Sequence, residues 1–360
     1  MQLMKTSQNK VPYNIPMPNN MGMVRYILAT AVFIAHYAGH TSTYLPFPIT
    51  ADMGVGGFFA LSGFLIYGSY LKKRNPKAFI IARAIRIMPA YLFTVLFFAI
   101  TFCCISSLGI FNYFTNPGFW KYLLANITFL NFIHPTLPGV FEGLPIPAVN
   151  GSLWTMKVEW LLYLSVPMVA LIIRKCKNKA TLTFIIISIL AIVYKICMSY
   201  LYLKTGKSIY YTLSVQVFSQ FYYFYLGVMI YYWFDLFMKY RWPIMLLSVA
   251  ILSIPISNII YESIAIPFAL TTLVIGLSMT GKWATWEGKR DNVSYNMYLI
   301  HYPIVQCFAQ FNLPVIMGNV WAFITCFIIV VILSILMNMI VEKPIQRYLK
   351  SLYHNSTQKQ

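Results

Sequence analysis

An arginine and a histidine stand eleven residues apart in the first apolar segment, MVRYILATAVFIAHYAGH, at Arg25 and His36. At about 100° per residue, eleven residues make nearly three helical turns, so both side chains share a face, separated by roughly 16 Å of helix rise. Ionisable groups at membrane depth are costly, because the bilayer core offers an unpaired charge no solvent. The pair is therefore predicted to belong to a functional site.

Two further arginines, Arg83 and Arg86, lie three residues apart in KKRNPKAFIIARAIRIMPAY, at the start of a helix. They share a helix face, and paired guanidinium groups suit phosphate because they form charge-assisted, bidentate hydrogen bonds. Basic residues at a membrane edge also commonly anchor topology or contact anionic lipid. The residues alone favour anchoring and leave phosphate binding open.

A glutamate lies six residues into a later apolar segment, NGSLWTMKVEWLLYLSVP, with a tyrosine one turn beyond it on the same face; these are Glu159 and Tyr163. A carboxylate at that depth needs a partner. It can pair with Lys157 or a hydroxyl group as a contact between helices, or it can orient a histidine in a catalytic arrangement. The spacing leaves both interpretations open.

A second histidine, His301, lies near the middle of NVSYNMYLIHYPIV with Tyr295, Tyr298 and Tyr302 around it. A buried histidine bonded to a tyrosine or a backbone carbonyl is the structural interpretation, and the residues favour it slightly over a catalytic one. Lys195 is also unexpected in an apolar segment. It can snorkel, pair with a carboxylate or bind an anion.

Metal binding is not predicted. His40 stands one turn beyond His36, but no carboxylate follows at a matching spacing and no HxxxE or HExxH pattern occurs. The cysteines show no CxxC spacing and lie mostly in apolar segments, so we expect no disulfide. They are Cys103, Cys104, Cys176, Cys197, Cys307 and Cys326.

The composition is that of an all-α polytopic membrane protein: 59% of the 360 residues are apolar and 10% are charged. About ten transmembrane helices are predicted, and the stretch 119–132 is interpreted as re-entrant or interfacial. The predicted spans are 24–39, 54–71, 88–110, 153–173, 181–201, 213–233, 242–260, 263–280, 293–312 and 318–340.

The formal charge of +19 is explained by topology rather than by nucleic acid, because the basic residues sit between apolar segments. With ten spans, 21 of the 27 lysines and arginines fall on one side. This positive-inside bias predicts that both termini are cytoplasmic. The predicted parts are a cytoplasmic tail over 1–20, one membrane domain over 21–345 and a second cytoplasmic tail over 346–360.

Taken together, these stretches resemble the bacterial membrane acyltransferase 3 family, over about residues 20–345. The resemblance is carried by an arginine, ten residues and a histidine at Arg25 and His36, by the paired Arg83 and Arg86, and by the order of four longer stretches. These are GVGGFFALSGFLI, SLWTMKVEWLLYLSVP, VSYNMYLIHYPI and VEKPIQRYL. Family members often have an acidic or polar residue before the FF pair, where this chain has Gly56 and Gly57.

The resemblance implies an enzyme that transfers an acyl group, most simply acetyl, from acyl-CoA to a hydroxyl of a cell-surface or lipid-linked carbohydrate. Arg25, Arg83 and Arg86 would hold the phosphates of acetyl-CoA, a co-substrate rather than a permanently bound cofactor. An extended pantetheine arm would then cover the roughly 16 Å of helix rise between Arg25 and His36.

In this interpretation His36 is the general base, since the pKa of histidine lies near working pH. Glu159 would fix the imidazole tautomer or stabilise the imidazolium, and the hydroxyl of Tyr163 or Ser152 would donate to the oxyanion. His301 is the second candidate base. The sequence leaves open whether transfer is direct or passes through an acylated residue.

The expected partners are acyl-CoA, the lipid bilayer and a carbohydrate acceptor such as O-antigen, capsule, exopolysaccharide or peptidoglycan precursor, with other polysaccharide assembly proteins as possible partners. The expected location is the bacterial cytoplasmic membrane. The alternative is a transporter or flippase for a lipid-linked glycan or anion, in which buried charges form an ion path. A structural scaffold is a third interpretation.

Overall fold

The computed structural model describes residues 20–176, 179–281 and 293–358, and within these ranges the chain is helical without β-strands. The long apolar runs of the sequence account for this, since in a bilayer a helix satisfies its own backbone polar groups. In chain order the helices are α1 Met21–Thr41, α2 Ala51–Lys73, α3 Pro76–Thr101, α4 Ile110–Thr115, α5 Pro117–Ile127, α6 Trp154–Lys175, α7 Ala180–Thr205, α8 Ser208–Ser214, α9 Val217–Tyr232, α10 Phe234–Ser253, α11 Ile266–Met279, α12 Ser294–Gln310, α13 Leu313–Met317, α14 Asn319–Met337 and α15 Lys343–Gln358.

Nine segments of the described chain are long and apolar enough to cross a bilayer. They comprise α1, α2, α3, α6, α7, α8 with α9, α10, α11 with the π-helical turn before it, and α14 running into α15. The remaining predicted span, 293–312, is α12, whose 17 residues rise about 26 Å, slightly less than the roughly 30 Å hydrocarbon core. A count of ten spans therefore includes α12 as the shortest.

Two boundaries differ from the expected ones. The predicted span 88–110 is replaced by α3, which begins at Pro76 and ends at Thr101, so Arg83 and Arg86 lie well inside a helix. The predicted tail 346–360 continues α15 as far as Gln358. Apart from Asn20, the predicted N-terminal tail lies outside the described residues.

The stretch expected not to cross, 119–132, contains α5, whose 11 residues are too few to span a bilayer. Local sequence sets where this helix begins. The side chain of Asn116 accepts a hydrogen bond from the backbone N–H of Gly118, and Pro117 occupies the first helical position, where its missing N–H costs nothing.

The described chain divides into two compact units. The first unit is formed by Met1–Leu28, Asp52–Ile80 and Val158–Asp291. Within it α9 packs against α7 and α11, and α2 meets α9 at two glycines. A Cβ at Gly63 would lie 1.9 Å from the carbonyl oxygen of Phe224, and a Cβ at Gly227 would lie 2.2 Å from that of Ala60. Only glycine permits this backbone approach.

The second unit is formed by Ala29–Ala51, Ile81–Lys157 and Asn292–Gln360. Its central element is α12, which packs against α14, forms a hydrogen bond with α3 and makes ring contacts with α1. The Tyr295 hydroxyl on α12 donates to the carbonyl oxygen of Ile87 on α3 at 3.2 Å. On the other side, Phe33 of α1 packs against Phe323 and Phe327 of α14, with ring centroids 5.6 and 5.3 Å apart.

Candidate active site

The second unit brings two predicted histidines into contact. Nδ1 of His36 on α1 lies 2.8 Å from Nε2 of His301 on α12. The two imidazole rings are nearly parallel, with centroids 5.0 Å apart and an interplanar angle of 21°. His301 is 1% exposed, whereas His36 is half-buried. The pair joins residues 265 positions apart in the chain.

The hydrogen bonds around His301 fix the tautomers of both rings. Nδ1 of His301 lies 3.1 Å from the carbonyl oxygen of Met297, and because a carbonyl only accepts, this nitrogen carries the proton. In a neutral ring Nε2 of His301 is then an acceptor, so Nδ1 of His36 is the donor in the contact between the histidines. The remaining nitrogen, Nε2 of His36, holds a free lone pair.

Aromatic rings enclose the His36 imidazole. The ring of Tyr302 lies edge-on to His36 and to His40, with centroids 5.1 and 4.6 Å away. Gly151 lies against Tyr302, because a Cβ at this position would be 2.7 Å from the tyrosine ring. This packing limits the orientations that the ring of Tyr302 can adopt.

The helical hydrogen-bond pattern of α12 lacks one backbone donor next to the histidine, at Pro303. Pro303 has no N–H, so it cannot donate to the carbonyl oxygen of Leu299 four residues earlier. The side chain of Asn150 replaces the missing donor: its Nδ2 lies 2.7 Å from that carbonyl oxygen. His301 lies between Leu299 and Pro303 in the chain. The bond from Asn150 therefore holds the helical turn that carries the histidine.

The turn that carries Asn150 is itself held to α12. Asn150 Oδ1 accepts hydrogen bonds from the backbone N–H of Ser152 at 3.2 Å and from the hydroxyl of Ser152 at 2.6 Å. The hydroxyl of Tyr298 on α12 lies 3.1 Å from the carbonyl oxygen of Ser152 and 2.8 Å from Oγ1 of Thr155. The polar residues before and at the start of α6 thus hold α12 in place through hydrogen bonds.

The paired arginines belong to the same unit as the histidines. On α3 the side chain of Arg83 is half-buried and that of Arg86 is exposed. The backbone next to Arg86 is tied to α15, since Nε2 of Gln346 donates to the carbonyl oxygen of Arg86 at 3.1 Å. Gln346 also donates to Oε1 of Glu342 at 2.9 Å. The closing motif VEKPIQRYL therefore supports the helix that carries the arginines.

The other predicted site residues lie in the first unit. Arg25 is half-buried near the beginning of α1. On α6 the hydroxyl of Tyr163 donates a hydrogen bond to the carboxylate of Glu159. Nζ of Lys195 lies 3.5 Å from the carbonyl oxygen of Glu262. The role expected of Glu159, fixing the tautomer of the His36 imidazole, stays a prediction.

The hydrogen bond from Asn150 to α12 was not predicted from the sequence. The signals available were the proline two residues after His301, which predicts an unsatisfied carbonyl, and the polar NGS triplet before α6. Nothing local connects the two. Among the described residues, no group of three histidine, cysteine, aspartate or glutamate side chains is arranged to hold a metal ion.

The fold and the site together define a class of protein: a multi-pass helical membrane protein in which two histidines from different helices form a hydrogen-bonded pair. Comparison with known families is more specific. The model of the acyltransferase 3 family, described as an acyltransferase domain, matches residues 19–339. The chain belongs to this family.

One curated protein is similar in sequence to part of the chain. The chain is 28% identical over 175 residues to Nodulation protein 10 of Rhizobium leguminosarum bv. viciae, a match that covers 46% of this chain and 47% of that protein. The chain therefore spans about half the length of the curated relative that it matches. No solved structure matches the chain.

Proposed function

We propose that this acyltransferase moves an acyl group, most simply acetyl, from acyl-CoA to a hydroxyl of a cell-surface or lipid-linked carbohydrate. The observation that carries the proposal is the contact between His36 and His301, because it leaves Nε2 of His36 unprotonated and held in one orientation. A base prepared in this way suits removal of a proton from an attacking hydroxyl.

In the proposed reaction the acyl group passes directly from the CoA sulfur to the acceptor oxygen. As the acceptor oxygen attacks the thioester carbonyl, its proton passes to Nε2 of His36. The tetrahedral intermediate then collapses, the C–S bond breaks, and the CoA sulfur leaves and takes up the proton. While His36 is charged, its Nδ1–H donates to the neutral Nε2 of His301, a charge-assisted hydrogen bond that stabilises the imidazolium.

The donor would be held by Arg25, Arg83 and Arg86. Guanidinium groups form bidentate bonds to phosphate oxygens, and the exposure of Arg86 suits contact with a soluble nucleotide. The pantetheine arm would extend along α1 toward His36, over the eleven residues, or roughly 16 Å, that follow Arg25.

Glu159 and Tyr163 would act together. The hydroxyl hydrogen of Tyr163 points to the Glu159 carboxylate, so the tyrosine is not a ready oxyanion donor in this arrangement. We assign Glu159 to stabilising positive charge that develops during transfer, and Tyr163 to holding that carboxylate. O-antigen, capsule, exopolysaccharide and peptidoglycan precursors are the candidate acceptors, and the bacterial cytoplasmic membrane is the proposed location.

The test follows free thiol released from acetyl-CoA by the purified protein in nanodiscs, with a lipid-linked glycan extract as acceptor. Replacing the base, His36→Ala, is expected to lower kcat by roughly 10²–10⁴-fold, the usual contribution of a general base. His134→Ala is the matched control, because His134 is an exposed histidine on a loop.

Two results would contradict the proposal. Thiol release that persists undiminished in His36→Ala would remove His36 from the chemistry. Absence of thiol release in the wild type, together with movement of a glycan across the bilayer, would instead support the transporter alternative. A structural scaffold would show neither thiol release nor glycan movement.

A further inference from the structure

The helical segment that contains α14 and most of α15 is too long to lie wholly in the hydrocarbon core. Asn319–Tyr353 is one helical segment of 35 residues, which rises about 52 Å, whereas the hydrocarbon core measures roughly 30 Å. The π-helical turn Asn338–Glu342 separates α14 from α15. Its polar side chains bond to one another, since Nδ2 of Asn338 donates to Oε2 of Glu342 at 3.0 Å. Helix α15 therefore lies at or beyond the membrane edge.

The apolar residues of α15 form an exposed stripe. Ile345, Tyr348 and Leu352 follow one another at intervals of three and four residues, so they share a face. Their exposed fractions are 40%, 64% and 48%. In contrast to scattered surface apolar residues, a stripe along one helix face needs a covering partner.

The cations of α15 lie on the opposite side of the helix. At about 100° per residue, Lys343, Arg347 and Lys350 fall within an arc of roughly 60°, almost diametrically across from the apolar stripe. Arg347 and Lys350 are exposed. An apolar face backed by a basic face is the pattern of helices that lie in the membrane interface.

We propose that α15 lies along the membrane surface and binds acidic phospholipid, with its apolar stripe in the acyl chain boundary and its basic residues near the headgroups. A bilayer is the occupant that the observations favour, because α15 directly continues α14, a helix of membrane-spanning length. Charge complementarity selects acidic lipids. This inference does not depend on the acyltransferase chemistry.

The hydrogen bond from Gln346 links this surface to the rest of the second unit. Gln346 contacts the backbone of Arg86 from the border between the apolar and basic faces of α15. Binding of α15 to lipid therefore holds the end of α3 that carries the paired arginines at a defined height relative to the membrane.

Spin labels test the orientation of α15 in the full chain, with the native cysteines replaced and the protein in nanodiscs of mixed neutral and acidic lipid. We expect labels at Tyr348→Cys and Leu352→Cys to be accessible to oxygen and shielded from a water-soluble nickel complex. Labels at Arg347→Cys and Ser351→Cys are expected to show the reverse. Nickel access at all four positions would overturn the proposal, and shielding of the apolar-face labels from both reagents would replace lipid with a protein partner.

Trypsin cleavage tests the lipid charge with the native cysteines in place. Cleavage after Arg347 is expected to slow when phosphatidylglycerol replaces part of the phosphatidylcholine, by about fivefold for each basic residue that meets the surface. Lys350→Gln should reduce this protection about fivefold, whereas Lys350→Arg and the distant control Lys204→Gln should preserve it. Equal cleavage in both lipids would overturn the acidic-lipid preference.

Discussion

At the scale of single residues, one hydrogen bond gives the two histidines different roles. His301 is buried and its Nδ1 is committed to the carbonyl oxygen of Met297, so it is suited to accept from His36 rather than to take a proton from substrate. His36 is half-buried and has the free nitrogen. We infer that His36 is the catalytic residue and His301 is a positioning residue.

Removing the acceptor at position 301 should slow the chemical step. His301→Leu is expected to lower kcat by roughly 10- to 100-fold, since a hydrogen bond to a charged group contributes about 1.5–3 kcal/mol, with the KM for acetyl-CoA unchanged. His301→Gln offers an amide oxygen to Nδ1 of His36 and should recover part of the loss. Steady-state kinetics over a range of pH measure both variants.

The opposite effects of the two histidine substitutions would exchange the inferred roles of His36 and His301. If His301→Leu abolishes thiol release while His36→Ala retains it, His301 is the base. If the glutamine and leucine variants are equally impaired, the contact between the histidines does not control the tautomer.

If Arg86 binds the donor as proposed, its loss should affect binding rather than chemistry. Arg86→Gln is expected to raise the KM for acetyl-CoA by roughly tenfold or more, the loss of a charge-assisted bond, and to leave kcat nearly unchanged. Acetyl-pantetheine, which lacks the nucleotide phosphates, should be used equally well by variant and wild type. Arg174→Gln, an exposed arginine at the end of α6, is the control. An equal rise in KM for both donors would argue against phosphate binding.

At the scale of helices, the position of His301 depends on how α12 accommodates Pro303. Pro303 leaves the carbonyl oxygen of Leu299 without its helical donor, and Asn150 supplies one from outside the helix. The same turn carries His301. The hydrogen bond from Tyr298 to Ser152 also ties this part of α12 to the residues before α6. The helical turn that carries His301 is thus supported by a hydrogen-bond donor from outside the helix.

This support can be tested by a double-mutant cycle. Asn150→Ala should destabilise the protein by about 1–3 kcal/mol, because it leaves a buried carbonyl unsatisfied, and should lower kcat by displacing His301. Pro303→Ala restores a backbone N–H, so the double variant is expected to regain part of the stability lost in Asn150→Ala. Thermal unfolding in detergent and kcat are the measurements. Strictly additive effects of the two changes would show that Asn150 does not serve the carbonyl freed by Pro303.

At the scale of the whole molecule, the topology depends on α12. Its 17 residues make it shorter than each of the nine segments of membrane-spanning length, which have 19 to 35 residues. Without it the number of crossings would be odd and the two termini would lie on opposite sides. The distribution of lysine and arginine argues for ten crossings, because only an even count leaves 21 of the 27 on one side.

Labelling of single cysteines can decide the sidedness. In a variant without the native cysteines, Arg74→Cys between α2 and α3 should react only from the cytoplasmic side, and Gly143→Cys in the long connection between α5 and α6 only from the other side. A cysteine placed at Gln358 should behave like position 74. Reaction of positions 74 and 358 from opposite sides would exclude α12 as a crossing helix.

The sequence by itself determined the class of protein, because apolar runs of membrane-spanning length and an asymmetric distribution of charge are local, additive properties of the chain. It also identified His36, His301 and the arginines as ionisable residues in or beside apolar segments, where an unpaired charge is energetically unfavourable. It could not determine partners. His36 and His301 are 265 residues apart, and Asn150 is 149 residues from the carbonyl that it serves. Spacing along the chain carries information about one helix face only, so the pairing of His36 with His301 was decided by how α1, α12 and the turn before α6 pack together.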